Sequence, residues 1–117
     1  VQRVELGGLT PPVEAVRDPW SLPVPLQSGR RVRLPYRQLL YWACLLYMGD
    51  PVRAWDVCRA VEAWFNVSAH WNSVAFFLGR LCELGYLRRE RVWRRGRPVS
   101  LYFATPRLEA VKREARR

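Results

Sequence analysis

The sequence predicts a mainly α chain that carries a small β-hairpin, and three observations predict it. From Pro35 onward, apolar residues recur at helical spacing in three successive segments, each with start and stop signals. Gly85 closes the last of these, and two β-rich stretches follow around the turn Arg94-Arg95-Gly96-Arg97. Thr105-Pro106 then opens a short final helix through Leu108, Val111 and Ala115. The order is three helices, a basic hairpin and a terminal helix, and 117 residues suit one modest core. We divide the chain into a Pro-rich extended arm, 1–34, and a folded domain, 35–117.

The arm has no helical period. Pro11, Pro12, Pro19, Pro23 and Pro25 interrupt any regular element, and Gly7-Gly8 and Ser28-Gly29 punctuate it further. Extended pieces are expected at Gln2–Leu6 and Arg30–Leu34. Val13, Val16, Trp20, Leu22, Val24 and Leu26 supply apolar anchors between them. So many large apolar groups suit an arm laid across the domain, or across a partner, with Trp20 buried, better than a flexible leader.

Pro35 is placed as the first residue of a helix that runs to Met48 and stops at Gly49. Leu39 to Met48 are apolar on every face, so this helix has to be covered all round. Two covers are open: the arm, or a second copy of the chain in a homodimer. Asp50-Pro51 gives a cap and a first position for the second helix, which ends near Phe65. Asn66-Val67 makes a tight turn, and Ser68 caps a third helix over 68–84. Its inward stripe is Trp71, Val74, Phe77, Leu78, Leu81 and Leu84. Ala69, Asn72, Ser73, Phe76, Arg80 and Glu83 lie on the opposite side, with Phe76 open to either a core or a surface role.

The hairpin strands are expected at Tyr86–Trp93 and Pro98–Thr105, and Gly96 supplies the positive φ of the turn. Arg88, Arg89, Arg91, Arg94, Arg95 and Arg97 fall within ten positions. Formal net charge is +10, and residues 67–117 alone carry twelve basic and four acidic groups. Charge gathered in this way points to anionic polymers as partners. The planar guanidinium suits phosphates and base edges.

Several classes are disfavoured. There is no close carboxylate pair, Ser-His-Asp set, phosphate-cradling glycine loop or metal-ligand cluster, so no enzyme, cofactor or metal is expected. Cys44, Cys58 and Cys82 are odd in number and lack C-x-x-C spacing, which suits small buried hydrophobes in a reducing compartment. His70 is expected as a solvated first-turn residue. No signal peptide is evident, and the longest apolar run, ten residues, is too short to span a bilayer. A cytoplasmic protein without a membrane partner is the expectation.

The segment from Leu78 through Pro106 resembles the recognition helix and wing of winged helix-turn-helix transcription regulators, in particular the PadR-like and MarR-like groups. In those proteins a leucine-spaced helix ends in E-x-G followed by two apolar residues, as at Glu83, Gly85, Tyr86 and Leu87. An arginine- and glycine-rich wing follows, as at Arg94 to Pro98, and a Y-x-apolar-T return strand closes it, as at Tyr102 and Thr105. The resemblance extends over 35–117 and is specific over 68–106. This chain departs from the pattern at Leu108, where a glycine is common. It also reduces the strand between the first two helices to about Gly49–Arg53, and residues 1–34 have no counterpart.

The resemblance and the charge together imply binding to double-stranded DNA. The third helix would enter the major groove and the wing, 86–104, would lie on the backbone. Asn72 can pair with adenine and Arg80 with guanine or phosphate, Ser73 is permissive, and Phe76 can touch a thymine methyl, with Ala69 beside them. Arg88, Arg89, Arg91, Arg94, Arg95 and Arg97 are expected as phosphate contacts. Six tryptophans in so short a chain favour a competing class, a module that docks on RNA polymerase or another transcription protein. Binding of structured RNA through the same basic face is a third reading.

Overall fold

Leu39 to Leu46 are all buried, and the rest of the fold is arranged to cover them. The computed structural model describes residues 18–27 and 29–115; the expected strand Gln2–Leu6 and the anchors Val13 and Val16 lie outside them. Helix α1, Tyr36–Tyr47, is flanked by α2, Ala54–Phe65, and α3, Trp71–Glu83. Helix α4, Pro106–Ala115, packs toward the C-terminal end of α1, where Lys112 Nζ donates to Met48 O at 2.7 Å. A two-residue hairpin, β1 (Leu26–Gln27) with β2 (Arg30–Arg31), precedes the helices. An eight-residue hairpin, β3 (Leu87–Arg94) with β4 (Arg97–Ala104), lies between α3 and α4. Among the described residues, four α-helices and two antiparallel hairpins thus make a mixed α/β fold with one continuous core.

The apolar faces of α1 are covered within one chain. Phe77 of α3 meets Tyr41 edge-on at 5.8 Å, and Tyr86 meets Trp42 edge-on at 5.5 Å. From the arm, Leu22 and Leu34 enter the core, and Trp42 Nε1–H donates to Pro23 O at 2.6 Å. The all-round hydrophobicity of this helix therefore needs no second copy. Trp20 differs from expectation: it is 64 % exposed and stacks on Tyr36 at 6.0 Å. Pro19 beside it is buried instead, within the 3₁₀ turn Pro19–Ser21 that sets the arm against α1. The extended piece expected over Arg30–Leu34 forms a strand over Arg30 and Arg31, after Gly29 at φ +78°, and Val32 N donates to Pro25 O at 2.9 Å.

Two helix starts fall later than their sequence signals. Asp50 does not cap α2; its Oδ1 accepts from Ala104 N at 3.0 Å, and the Asp50-Pro51 peptide is cis. Val52 instead bridges Tyr102 of β4, with N–H···O bonds of 2.9 and 2.8 Å. Its β-branched side chain suits that extended pairing. The helix begins at Ala54, where Asp56 Oδ2 accepts from Arg53 N at 2.9 Å. Ser68 likewise does not cap α3. Asn66, in the left-handed region at φ +55°, closes α2, and residues 66–70 form a longer connection. Val67 and Ala69 pack partly against the core there, and Arg37 Nη1 holds Ser68 O. His70 becomes the cap, its Nδ1 accepting from Asn72 N at 3.3 Å.

The end of α3 follows its sequence closely. Gly85 N donates to Cys82 O at 3.1 Å and Tyr86 N to Leu81 O at 2.9 Å, with Gly85 at φ +85°. This is the paired hydrogen-bond pattern of a glycine-closed helix. Thr105 Oγ1 donates to Gly85 O at 2.6 Å and accepts from Leu108 N at 3.5 Å, so one side chain joins the end of α3 to the start of α4. Tyr86 ties in the arm as well. Leu26 N donates to its hydroxyl at 2.7 Å, and the Arg107 guanidinium lies 4.5 Å from its ring centre. Tyr86→Phe removes the acceptor for Leu26 N and is expected to cost about 1 kcal/mol in urea unfolding. An unchanged midpoint would mean that the hydroxyl does not help hold the arm.

The three cysteines are free thiols; Cys44 and Cys58 are buried and Cys82 is half-buried. Burial pushes all three above the ordinary thiol range, Cys44 most. Among the described residues no helix is long and apolar enough to cross a membrane.

Candidate nucleic-acid interface

The β3–β4 register divides the arginines of the hairpin between two faces. Pairs Arg89↔Tyr102 and Arg91↔Ser100 lie on one face, and Arg88↔Phe103, Glu90↔Leu101 and Arg94↔Arg97 on the other, because side chains alternate along a strand. Arg88 is engaged on its own face: Nη1 pairs with Glu90 Oε1, and its guanidinium lies 4.7 Å from the Phe103 ring centre. Among the described residues Arg89, Arg91, Arg94, Arg95 and Arg97 have no ion-pair partner. The hairpin thus keeps most of its positive charge available, with Arg94, Arg95 and Arg97 at the tip.

The turn is shorter than the four residues expected. Arg94 pairs with Arg97, leaving Arg95 and Gly96 as the connection, at φ +52° and +74°. Two positive φ values in a two-residue loop are the geometry of a type I′ turn, which the strand twist favours. Glycine occupies its site without steric cost, but arginine in the left-handed region does not. Arg95→Asn should therefore stabilise the fold by up to about 1 kcal/mol, read as a shift in the urea midpoint. A loss of stability would contradict this account of the turn.

On α3 the buried residues are Val74, Phe77, Leu78 and Leu81. Trp71 does not belong to that stripe. It is 53 % exposed, at the first helical position, on the flank facing the hairpin. Phe76, open to either role from sequence, is 73 % exposed. Asn72, Ser73 and Phe76 border a depression of about 410 Å³ that Arg37 and Gln38 of α1 close on the other side. Phe76 and Arg80 border a second depression with Gly79 and Glu83. Ala69 is half-buried in the connection before the helix. Asn72, Ser73, Phe76 and Arg80 are thus brought onto one outward flank, while Ala69 stands apart from it.

A cleft of about 510 Å³ joins α2, α3 and the hairpin. Arg53 and Trp55 reach it from the start of α2, Trp71 from α3, and Arg89, Arg91 and Tyr102 from the hairpin. Arg53 is steadied by Asp56, Nη2 to Oδ1 3.2 Å. Arg89 is close enough to α3 to oppose the burial that raises the Cys82 thiol. Sequence reasoning missed Arg53 and Trp55, which lie more than thirty positions before the hairpin. Strand alternation was the signal that could have separated Arg89 and Arg91 from Arg88. Trp93, near the hairpin tip, is 76 % exposed. The surface is one of guanidiniums interleaved with aromatic rings, a combination that serves both phosphates and stacked bases. No protein-family model matches the chain, and no curated protein matches it.

Proposed function

We propose that this chain is a winged helix-turn-helix protein that binds double-stranded DNA and regulates transcription, with α3 in the major groove and β3–β4 as a wing on the backbone. The observation that carries the proposal is the outward flank of α3, Asn72, Ser73, Phe76 and Arg80, beside a hairpin with five unpaired arginines among the described residues. The element order supports it, as does the Val52–Tyr102 bridge, which adds a minimal third strand to the wing. Asn72 has an amide able to pair with adenine, and the exposed Phe76 ring suits a thymine methyl. The wing arginines attract phosphate whatever the sequence.

The test is the affinity for labelled duplex DNA over a series of salt concentrations. Log affinity should fall linearly with log salt, because each neutralised phosphate releases condensed counterions. Absence of salt-sensitive affinity for any duplex would overturn the proposal. A second reading, docking on a transcription protein such as RNA polymerase, is favoured by the exposed Trp20–Tyr36 stack. Capture of such a partner that survives nuclease treatment, together with salt-independent behaviour toward DNA, would support it instead.

A further inference from the structure

We propose that the cleft between α2, α3 and the hairpin holds one unstacked nucleotide, so that the protein prefers a duplex with an unpaired position over a fully paired one. The inference rests on the nucleic-acid reading above and deepens it.

Three features of the cleft converge on this ligand. Its volume, about 510 Å³, lies within the range of about 300–1,000 Å³ usual for small-ligand sites. Two indoles, Trp55 and Trp71, line it although each remains more than half exposed. Exposed tryptophans carry a standing hydration cost, and a planar base relieves it by stacking, largely irrespective of which base it is. Three guanidiniums, from Arg53, Arg89 and Arg91, border the same space, and no acidic side chain lines it. Arg89 and Arg91 are two residues apart on one strand face, so both heads are directed to one opening. An aromatic plane with an anion attached satisfies both halves of this lining, and a nucleotide has that form. A paired base inside a duplex cannot enter, because its faces are already stacked; a bulged base pays no such unpairing cost. An acidic peptide would meet the guanidiniums but leave the indoles without a planar partner.

The experiment compares a short labelled duplex with the same duplex containing one unpaired thymidine, by fluorescence anisotropy with the full chain. The bulged duplex should bind about tenfold more tightly, in line with the value of one base stacked on an aromatic side chain. Trp71→Ala should remove that preference, read within the variant as the ratio of its affinities for the bulged and the paired duplex; far-ultraviolet circular dichroism checks that it folds. Trp55→Ala, on the neighbouring helix, should weaken the preference in the same direction. Equal affinity for the two duplexes, with salt-dependent binding intact, overturns the nucleotide site and leaves the DNA-binding proposal standing. A preference that survives both tryptophan variants also overturns it, since the unpaired base is then held elsewhere. Failure to bind either duplex at any salt overturns both proposals.

Discussion

Replacing Arg94, Arg95 and Arg97 together with alanine should flatten the salt dependence of duplex binding by nearly three in the log–log slope. Each phosphate contact contributes about 0.9 to that slope on B-form DNA. Across a fourfold range, roughly 50 to 200 mM, three lost contacts then shrink the fall in affinity by about 40-fold. The tip is where this effect should be concentrated: these three side chains are exposed and have no ion-pair partner among the described residues. Arg88 is the internal control. Its charge is offset by Glu90 and its guanidinium covers Phe103, so Arg88→Ala should change the slope much less. Equal slopes for the native chain and the triple variant would place the phosphate contacts somewhere other than the tip.

The second large effect concerns stability. Trp42→Ala should lower the free energy of unfolding by about 3–5 kcal/mol, the usual range for deleting a fully buried large aromatic side chain. Trp42 is fully buried, and it is also the residue on which three parts of the chain meet. Its ring packs against Tyr86 at the foot of the hairpin, and its Nε1–H satisfies Pro23 O in the arm. Against a total stability of about 5–15 kcal/mol for a typical domain, such a loss removes a fifth or more of it. Urea unfolding followed by far-ultraviolet circular dichroism measures it. A change below about 1 kcal/mol would mean that the arm and hairpin are held by other contacts.

How much of this was legible from residues alone differs from element to element. The end of α3 was legible because glycine accepts the left-handed backbone there most readily, and through it the last helical carbonyls are satisfied at Gly85. The apolar run of α1 announced its burial on all sides, although not which segment covers it. Helix starts were less legible. Asp50 and Ser68 have the right chemistry for caps, but the Asp50 carboxylate is taken by Ala104 N, and α3 starts only at Trp71, where His70 Nδ1 does the capping. Trp71 was misplaced because apolar periodicity treats every large hydrophobic residue as inward-facing, and Trp20 because it was counted among the arm's apolar anchors. A tryptophan can sit on a surface when its ring has a use there or a ring beside it, as Trp20 has in Tyr36. The candidate site was half visible. The α3 flank and the basic hairpin follow from local pattern, whereas the cleft depends on Arg53 and Trp55, brought in by the single Val52–Tyr102 pairing.

That pairing has a mechanical consequence. The hairpin strands are eight residues long, a reach of about 26 Å, yet only Leu87, Leu101 and Tyr102 are buried, all toward its base. Every residue from Trp93 to Pro98 is exposed. The hairpin is a cantilever, held at its root by the Val52–Tyr102 bridge, the Ala104–Asp50 hydrogen bond and its buried residues, and loaded with charge at its free end. Small rotations at the root become ångström-scale displacements at the tip, which under the DNA-binding proposal would let the guanidiniums follow a backbone whose path varies with sequence. The same compliance has an entropic cost, because gripping the tip immobilises long side chains at about 0.5–1.5 kcal/mol each. If the chain binds DNA as proposed, the hairpin tip trades affinity per contact for reach, and discrimination between sequences falls to the stiffer elements at its root.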